Sequence, residues 1–170
     1  MRNPVNNLLP YNRDLAVAYA KKWALLRNLK YGDFEEMGGD CTNFASQVVH
    51  AGGCPMNYNK FGWYYDSLNN RAPAWTSVKY LYQFLINNQS TGPVAEETDM
   101  ETIKPGDLIQ LNFGWDDSYD HTPVVVKILP GKRTLEKILI AAHTIDRLDY
   151  PVSNYQFKKI RFLHIKGHRR

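Results

Sequence analysis

Cysteine is scarce in this sequence, with only Cys41 and Cys54 among 170 residues. They form no CxxC pair, so a zinc knuckle is not expected. A disulfide between them is also disfavoured. They stand near opposite ends of one short helical stretch, and about 13 residues of helix span roughly 20 Å. A bridge needs Cα atoms within about 7 Å. Cys41 is therefore expected as a free thiol. No HExxH motif is present. The only three-ligand metal set that suggests itself is Cys41, His121 and His143, and we expect no metal and no cofactor. No run of about 18 apolar residues exists, so no membrane span is expected. The opening MRNPVNNLLPYNRD has no apolar stretch of the kind a secretory leader carries. Compartment stays open from sequence, with the cell envelope or exterior as the setting of an exported or excised domain. Oligomeric state stays open as well. No internal repeat or low-complexity tract is found.

What the chain does contain is ordinary for one soluble domain over 1–170. Hydrophobic residues make up 44% and charged residues 22%, enough for a core and too little charge for a disordered chain. The net charge is +4, with Lys158, Lys159, Arg161, Lys166, Arg169 and Arg170 supplying much of the excess. Solubility or an anionic cell-wall polymer accounts for that balance. No nucleic-acid motif accompanies it, so no nucleic-acid partner is expected. Aromatic residues reach 13%, including 11 tyrosines, which suits a groove lined by rings.

Periodicity divides the chain into a helical half over about 11–90 and antiparallel strands over about 104–166. The first helix is expected over 13–28, with Asn12 as N-cap and Leu15, Tyr19, Trp23 and Leu26 on its apolar face. A second, over 41–51, starts after Asp40 and stops at Gly52 and Gly53. A third covers 77–88, with Val78, Leu81, Tyr82 and Leu85 on one face. Between the second and third, MNYNKFGWYYDSLNNRAPAW reads as a long surface loop. Strands follow in LIQLNF, HTPVVVKIL, TLEKILIAAHT and FKKIRFLHIKG, with turns at KPGD and PGKR. Helices first and strands afterwards give an α+β class.

The stretch GGDCTNFASQVVHAGG carries the chemistry. Cys41 opens a helix, where unpaired N–H groups favour a thiolate. Spacing places it on the face of Phe44, Ala45 and Val48, toward the sheet. A thiol nucleophile needs a base within reach and a group that orients the base. His121 opens one strand and His143 closes the next. A turn at Gly131–Lys132 sets His121 opposite about position 142, and a one-residue shift brings His143 beside it. Singly, each residue has a plainer role: a buried small hydrophobe for Cys41, a loop bond to Asp117 or Asp120 for His121, solvent contact for His143. Together they fit one site with Cys41 as nucleophile, His121 as base and His143 as orienting group. Asp40, Thr42, Trp63 and Trp115 are the candidate substrate-binding residues, the two tryptophans as groove walls.

DCTNFASQ, followed by HTPVV and then AHTID, resembles the bacterial family described as "putative amidase domain", a relative of NlpC-type and CHAP-type cysteine peptidoglycan hydrolases. The likeness runs from YNRDLAVAYAKKWA through WTSVKYLYQFL and PGDLIQL to AAHTID. It implies a papain-like fold with the cysteine helix packed on a small antiparallel barrel. It also implies hydrolysis of an amide or peptide bond in cell-wall peptides through a thioester, with Cys41, His121 and His143 in the roles above. Some relatives carry glutamine before the cysteine as an oxyanion donor. Asp40 stands there in this chain, so the Cys41 N–H and another donor would serve. Asp146 offers a second candidate to orient His121, as in a transglutaminase-like acyltransferase. A non-catalytic wall-binding or protein-binding module on the same fold is the remaining alternative.

Overall fold

The computed structural model describes residues 7–170; the first six positions of the domain expected over 1–170 lie outside them. The class is α+β. Helix α1 spans Arg13–Trp23, α2 Cys41–Ala51, α3 Pro73–Thr76 and α4 Val78–Asn87. Strands β1 (Tyr65–Ser67) and β2 (Asn70–Arg71) form a small hairpin. The main sheet contains β3 (Gly92–Thr98), β4 (Leu108–Asn112), β5 (Val124–Ile128), β6 (Ile138–Ala142), β7 (Arg147–Pro151) and β8 (Lys159–Arg169). All neighbours pair antiparallel, in the order β3-β8-β4-β5-β6-β7.

Successive residues of a strand face opposite sides, and both sides of this sheet are buried. Leu108, Val124, Val126, Ala141, Leu163 and Ile165 join the helices in one core. Ile109, Leu111, Val125, Ile138, Ile140 and Phe162 meet Ile103 and Val152 in a second core on the other side. Burial on both faces explains why the strands read as nearly unbroken apolar runs.

Asn12 caps α1 as expected, its Oδ1 accepting from the Leu15 N–H at 3.0 Å. The buried face differs from the periodicity. Ala16, Ala20 and Ala24 are buried, whereas Leu15 and Leu26 are 55% and 60% exposed. Small side chains let α1 lie close against both α2 and β5, a position that larger ones would hold apart. Arg13 anchors its start through the buried Asp107 at 2.8 Å and the Ile165 carbonyl.

The aromatic stretch after α2 is only partly a surface loop. It folds as the β1–β2 hairpin and α3, and it sends Trp63 and Trp75 into the first core with ring centroids 4.7 Å apart. Their indole N–H groups donate to Ser46 Oγ and Asn43 Oδ1 of α2. Trp63 is thus a core residue with no exposure and not a groove wall, because its polar edge is satisfied inside.

Candidate active site

Two glycines set the entry to α2. Gly38 and Gly39 have φ of +102° and +108°, a backbone region that L side chains rarely adopt. Asp40 follows in the N-cap position, but its carboxylate makes no cap bond to the helix. It turns away to accept from the Phe34 N–H at 2.8 Å, Asn43 Nδ2 at 2.9 Å and His143 Nδ1 at 2.5 Å. The Asp40 side chain therefore does not cover the first-turn N–H groups of α2 beside Cys41.

Cys41 is 6% exposed and free, as is the buried Cys54. Its Sγ lies 3.8 Å from the Thr42 hydroxyl, and the Thr122 and Thr42 backbone N–H groups lie close enough to favour its ionised form. Thr122 is the residue after His121, so the start of the β5 segment lies against the sulfur. Thr42 and Thr122 join their hydroxyls at 3.1 Å and clamp the helix start to that segment. His121 is 4% exposed. Its Nε2 lies 3.2 Å from the Tyr155 hydroxyl, and its ring packs against both Phe113 and Tyr155, which also meet each other. Tyr155 also lies close enough to feel the charge of Cys41. Imidazole and phenol are thus in contact, and the phenol stands within charge range of the sulfur. Trp115, 79% exposed, sits against Phe113 with centroids 5.5 Å apart, and Phe113 in turn meets His121.

Burial decides the charge state of this cluster. It pushes the Cys41 thiol up, assisted by the negative Asp40 and opposed by the hydrogen bonds to sulfur. It pulls His121 down to about 4. At neutral pH the pair rests as thiol and neutral imidazole. A thiolate–imidazolium pair is disfavoured because both charges would be desolvated. Alkylation of Cys41 by iodoacetamide is consequently expected to be slow at pH 6–7 and to climb only above the ordinary thiol range, about pH 8.5. A pH-rate profile resolved at the Cys41 peptide measures this; rapid alkylation at pH 6 would contradict it.

The depressed His121 also carries a stability signature. Between about 4 and the ordinary value, about 6.5, the unfolded chain binds a proton that the folded one refuses. Stability then falls as pH drops through that window. The loss from this residue approaches about 3 kcal/mol. Urea titrations at pH 7 and 4.5 should show a smaller drop for His121→Gln than for the parent. An equal drop would place the titration elsewhere.

His143 does not stand beside His121. Val124 pairs with Ala141 and Val125 with Ile140. That register, continued, sets His143 opposite Thr122, and adjacent residues on a strand point to opposite faces. His143 faces the helices, stacked on Phe44 at 4.1 Å. Its two nitrogens are taken by Asp40 and by the Trp23 carbonyl at 2.8 Å, so it cannot orient His121. Asp146 binds Arg27 at 2.9 and 3.0 Å, not the base. Asp40 and Thr42 are 0% and 1% exposed, hence structural supports of the helix start and not substrate contacts. Sequence patterns missed Tyr155 altogether: it lies in SNYQFKK, a polar connection with no periodic signal.

Among the described residues no three or more His, Cys, Asp or Glu side chains converge to hold a metal ion. Cys41, His121 and His143 do not form such a set. No helix among those residues is long and apolar enough to cross a membrane. A groove of about 800 Å³ lies between 57–62 and α4. No cysteine, histidine or carboxylate lines it, so size alone does not mark the chemistry.

Residues 10–165 match the family described as "Putative amidase domain". Among curated proteins, YhbB of Bacillus subtilis (strain 168), described as uncharacterized, is 32% identical over 127 residues, 74% of this chain and 40% of YhbB. YjcM of the same organism, described likewise, is 26% identical over 154 residues, 83% of this chain and 32% of YjcM. The chain thus spans less than half the length of either relative. No solved structure matches it.

Proposed function

Because the chain belongs to the family described as "Putative amidase domain", we propose that it is a cysteine hydrolase that cleaves amide or peptide bonds in peptidoglycan-type peptides. The observation that supports the proposal is a free Cys41 at the start of α2, with Thr122, the residue after His121, bound to the same helix start, and with Tyr155 both on His121 and within charge range of the sulfur. The papain-like character of the fold belongs to the same proposal: a cysteine helix set against an antiparallel sheet, with the base at the opening of a strand.

The chemistry follows from the charge states. Tyr155 engages Nε2 of His121, which leaves Nδ1 as the nitrogen for the thiol proton. His121, neutral at pH 7 because of its burial, takes that proton as sulfur attacks the carbonyl carbon. The carbonyl oxygen gains the negative charge beside the uncapped first turn of α2, whose N–H groups and dipole stabilise it. His121 then gives the proton to the leaving amine as the C–N bond breaks, leaving a thioester. A water that loses its proton to His121 attacks the thioester, and the acid leaves with the thiol restored. Phe113 and Trp115 form an aromatic wall for the peptide, and the net charge of +4 suits an anionic wall.

The test is incubation of the purified protein with intact peptidoglycan and with soluble stem peptides, the products read by mass spectrometry. Fragments bearing a new amine and a new carboxylic acid are expected. Their absence with an intact, folded protein would remove the proposal. A product joined to an added amine would assign acyl transfer instead of hydrolysis.

A further inference from the structure

We infer that Gln110 and Thr122 are positioning residues that aim a one-directional chain of hydrogen bonds at the Cys41 sulfur. The inference rests on Cys41 being the nucleophile proposed above. It starts from Gln110, which is fully buried on β4. Both ends of its amide are constrained. Oε1 accepts from Arg161 through Nε at 2.9 Å and also through Nη2. A guanidinium only donates, so that end must be oxygen. Nε2 meets the Val78 carbonyl at 3.0 Å, which only accepts, so that end must be nitrogen.

The second proton of Nε2 reaches Thr122 Oγ1 at 3.3 Å. Once Thr122 accepts from Gln110, its own hydroxyl proton is left for Thr42 Oγ1 at 3.1 Å. Thr42 in turn has its proton left for Cys41 Sγ at 3.8 Å. The reverse direction would have Thr122 accept twice and waste its own proton in a buried site, at a cost typical of an unmade hydrogen bond. Every donor is thus used only when the chain runs from Arg161 to sulfur.

The far end of the chain carries a charge. The Arg161 guanidinium lies between the rings of Tyr82 and Tyr119, 3.5 and 3.8 Å from their centroids. It is held there without a carboxylate on its guanidinium nitrogens, and its charge polarises the amide toward sulfur. A chain of this sense favours a thiolate over a thiol, since only the thiolate is purely an acceptor. It therefore acts when His121 removes the proton and when the thioester carbon–sulfur bond breaks. The titratable groups that couple to Sγ are Asp40, just before its helix, and Tyr155 after β7; His121 opens the β5 segment next to Thr122. The proposed substitutions alter none of them.

The test reads ionisation directly. The iodoacetamide alkylation rate of the Cys41 peptide is followed against pH in the parent, Thr122→Val, Thr122→Ser and Gln110→Met. Valine keeps the shape of threonine and removes the hydroxyl, and the Val variant is expected to react about tenfold more slowly at a fixed pH below its midpoint. Serine restores the link and the parent profile. Met removes the donor at 110 and moves the profile in the same direction as Val. Thermal melts establish folding; if Gln110→Met does not fold, the Val–Ser pair at 122 decides. Coincident profiles for the two Thr122 variants would overturn the inference. No substrate is needed, so the outcomes separate. A Val shift with no peptidoglycan cleavage would remove the hydrolase proposal and keep the chain. Cleavage with coincident profiles would do the reverse.

Discussion

Cys41→Ser is expected to lower amide cleavage by about 10⁴-fold or more, to the background rate. The substitution changes one atom and leaves the helix, its entry glycines and the clamp between Thr42 and Thr122 in place. What it removes is a nucleophile that a neutral imidazole can deprotonate. A serine hydroxyl at the same position is far less acidic, and the hydrogen bonds that now face sulfur cannot close that gap. His121→Ala is expected to cost about 10³-fold or more through the same step. The double variant should then be no worse than Cys41→Ser alone, since a base without its nucleophile has nothing to activate. Rates of fragment release, measured by chromatography on the same peptide, supply all three numbers. Losses that multiply would place the two residues in separate steps and break the proposed proton transfer.

Asp40→Ala is expected to cost stability rather than chemistry alone, by about 3–5 kcal/mol. Typical domains have only about 5–15 kcal/mol to lose. The reason is the buried knot around the carboxylate. Burial works against its ionisation, but the bonds from His143, the Phe34 N–H and Asn43 outweigh it and hold Asp40 below the usual carboxylate value. On its other side the His143 ring meets the Trp23 carbonyl at 2.8 Å, so it has no second place to turn. Arg27 adds a positive group 3.7 Å from Asp40. Alanine would leave His143, the Phe34 N–H and Asn43 without their shared buried partner. Because Asp40 is depressed, its contribution is present above the ordinary carboxylate value and fades as pH falls through its lowered folded value. Urea denaturation at pH 7 measures the loss; a change below about 1 kcal/mol would mean that the knot is solvated.

How much of this was legible in the sequence follows from the kind of signal each residue leaves. The α2 and α4 helices carried apolar spacing and clear stops, and both lie within a residue or so of their expected limits. Strands β4, β5, β6 and β8 stood out as apolar runs. Strands β3, GPVAEET, and β7, RLDYP, did not, because Pro, Glu, Arg and Asp break their apolar pattern, and β3 pairs with β8 from far along the chain. The α1 face was misjudged because periodicity rewards large side chains, and close packing here selected alanine.

At the site, the cysteine and the strand-opening histidine were visible as residue types at a helix start and a strand start. The place of His143 was not. Its pairing with His121 needed a one-residue shift, and such a shift turns every side chain of a strand over. The actual connection between β5 and β6 is no tight hairpin: it contains a 3-10 turn at Leu135–Lys137, and the pairing is irregular between Val125 and Lys127. Loop length and bulges of that kind leave little trace in composition. Tyr155 and Gln110 were hidden for a different reason. One lies in an irregular connection, and the other is a lone polar residue within an apolar strand, whose partners only the folded chain reveals.

The position of β8 in the sheet has a consequence for assembly. It lies between β3 and β4, so the segment that joins the two flanks is the last of this sheet's strands to be made. Until it arrives, β3 and β4 present open edges with nothing between them, and the bonds from Arg161 to Gln110 cannot form. A nascent chain halted before Lys159 would hold the cysteine, the histidine and every helix, yet remain a sticky, unsealed intermediate in need of a holdase. Completion of the domain should therefore be abrupt and late, triggered by one strand sliding into a waiting slot.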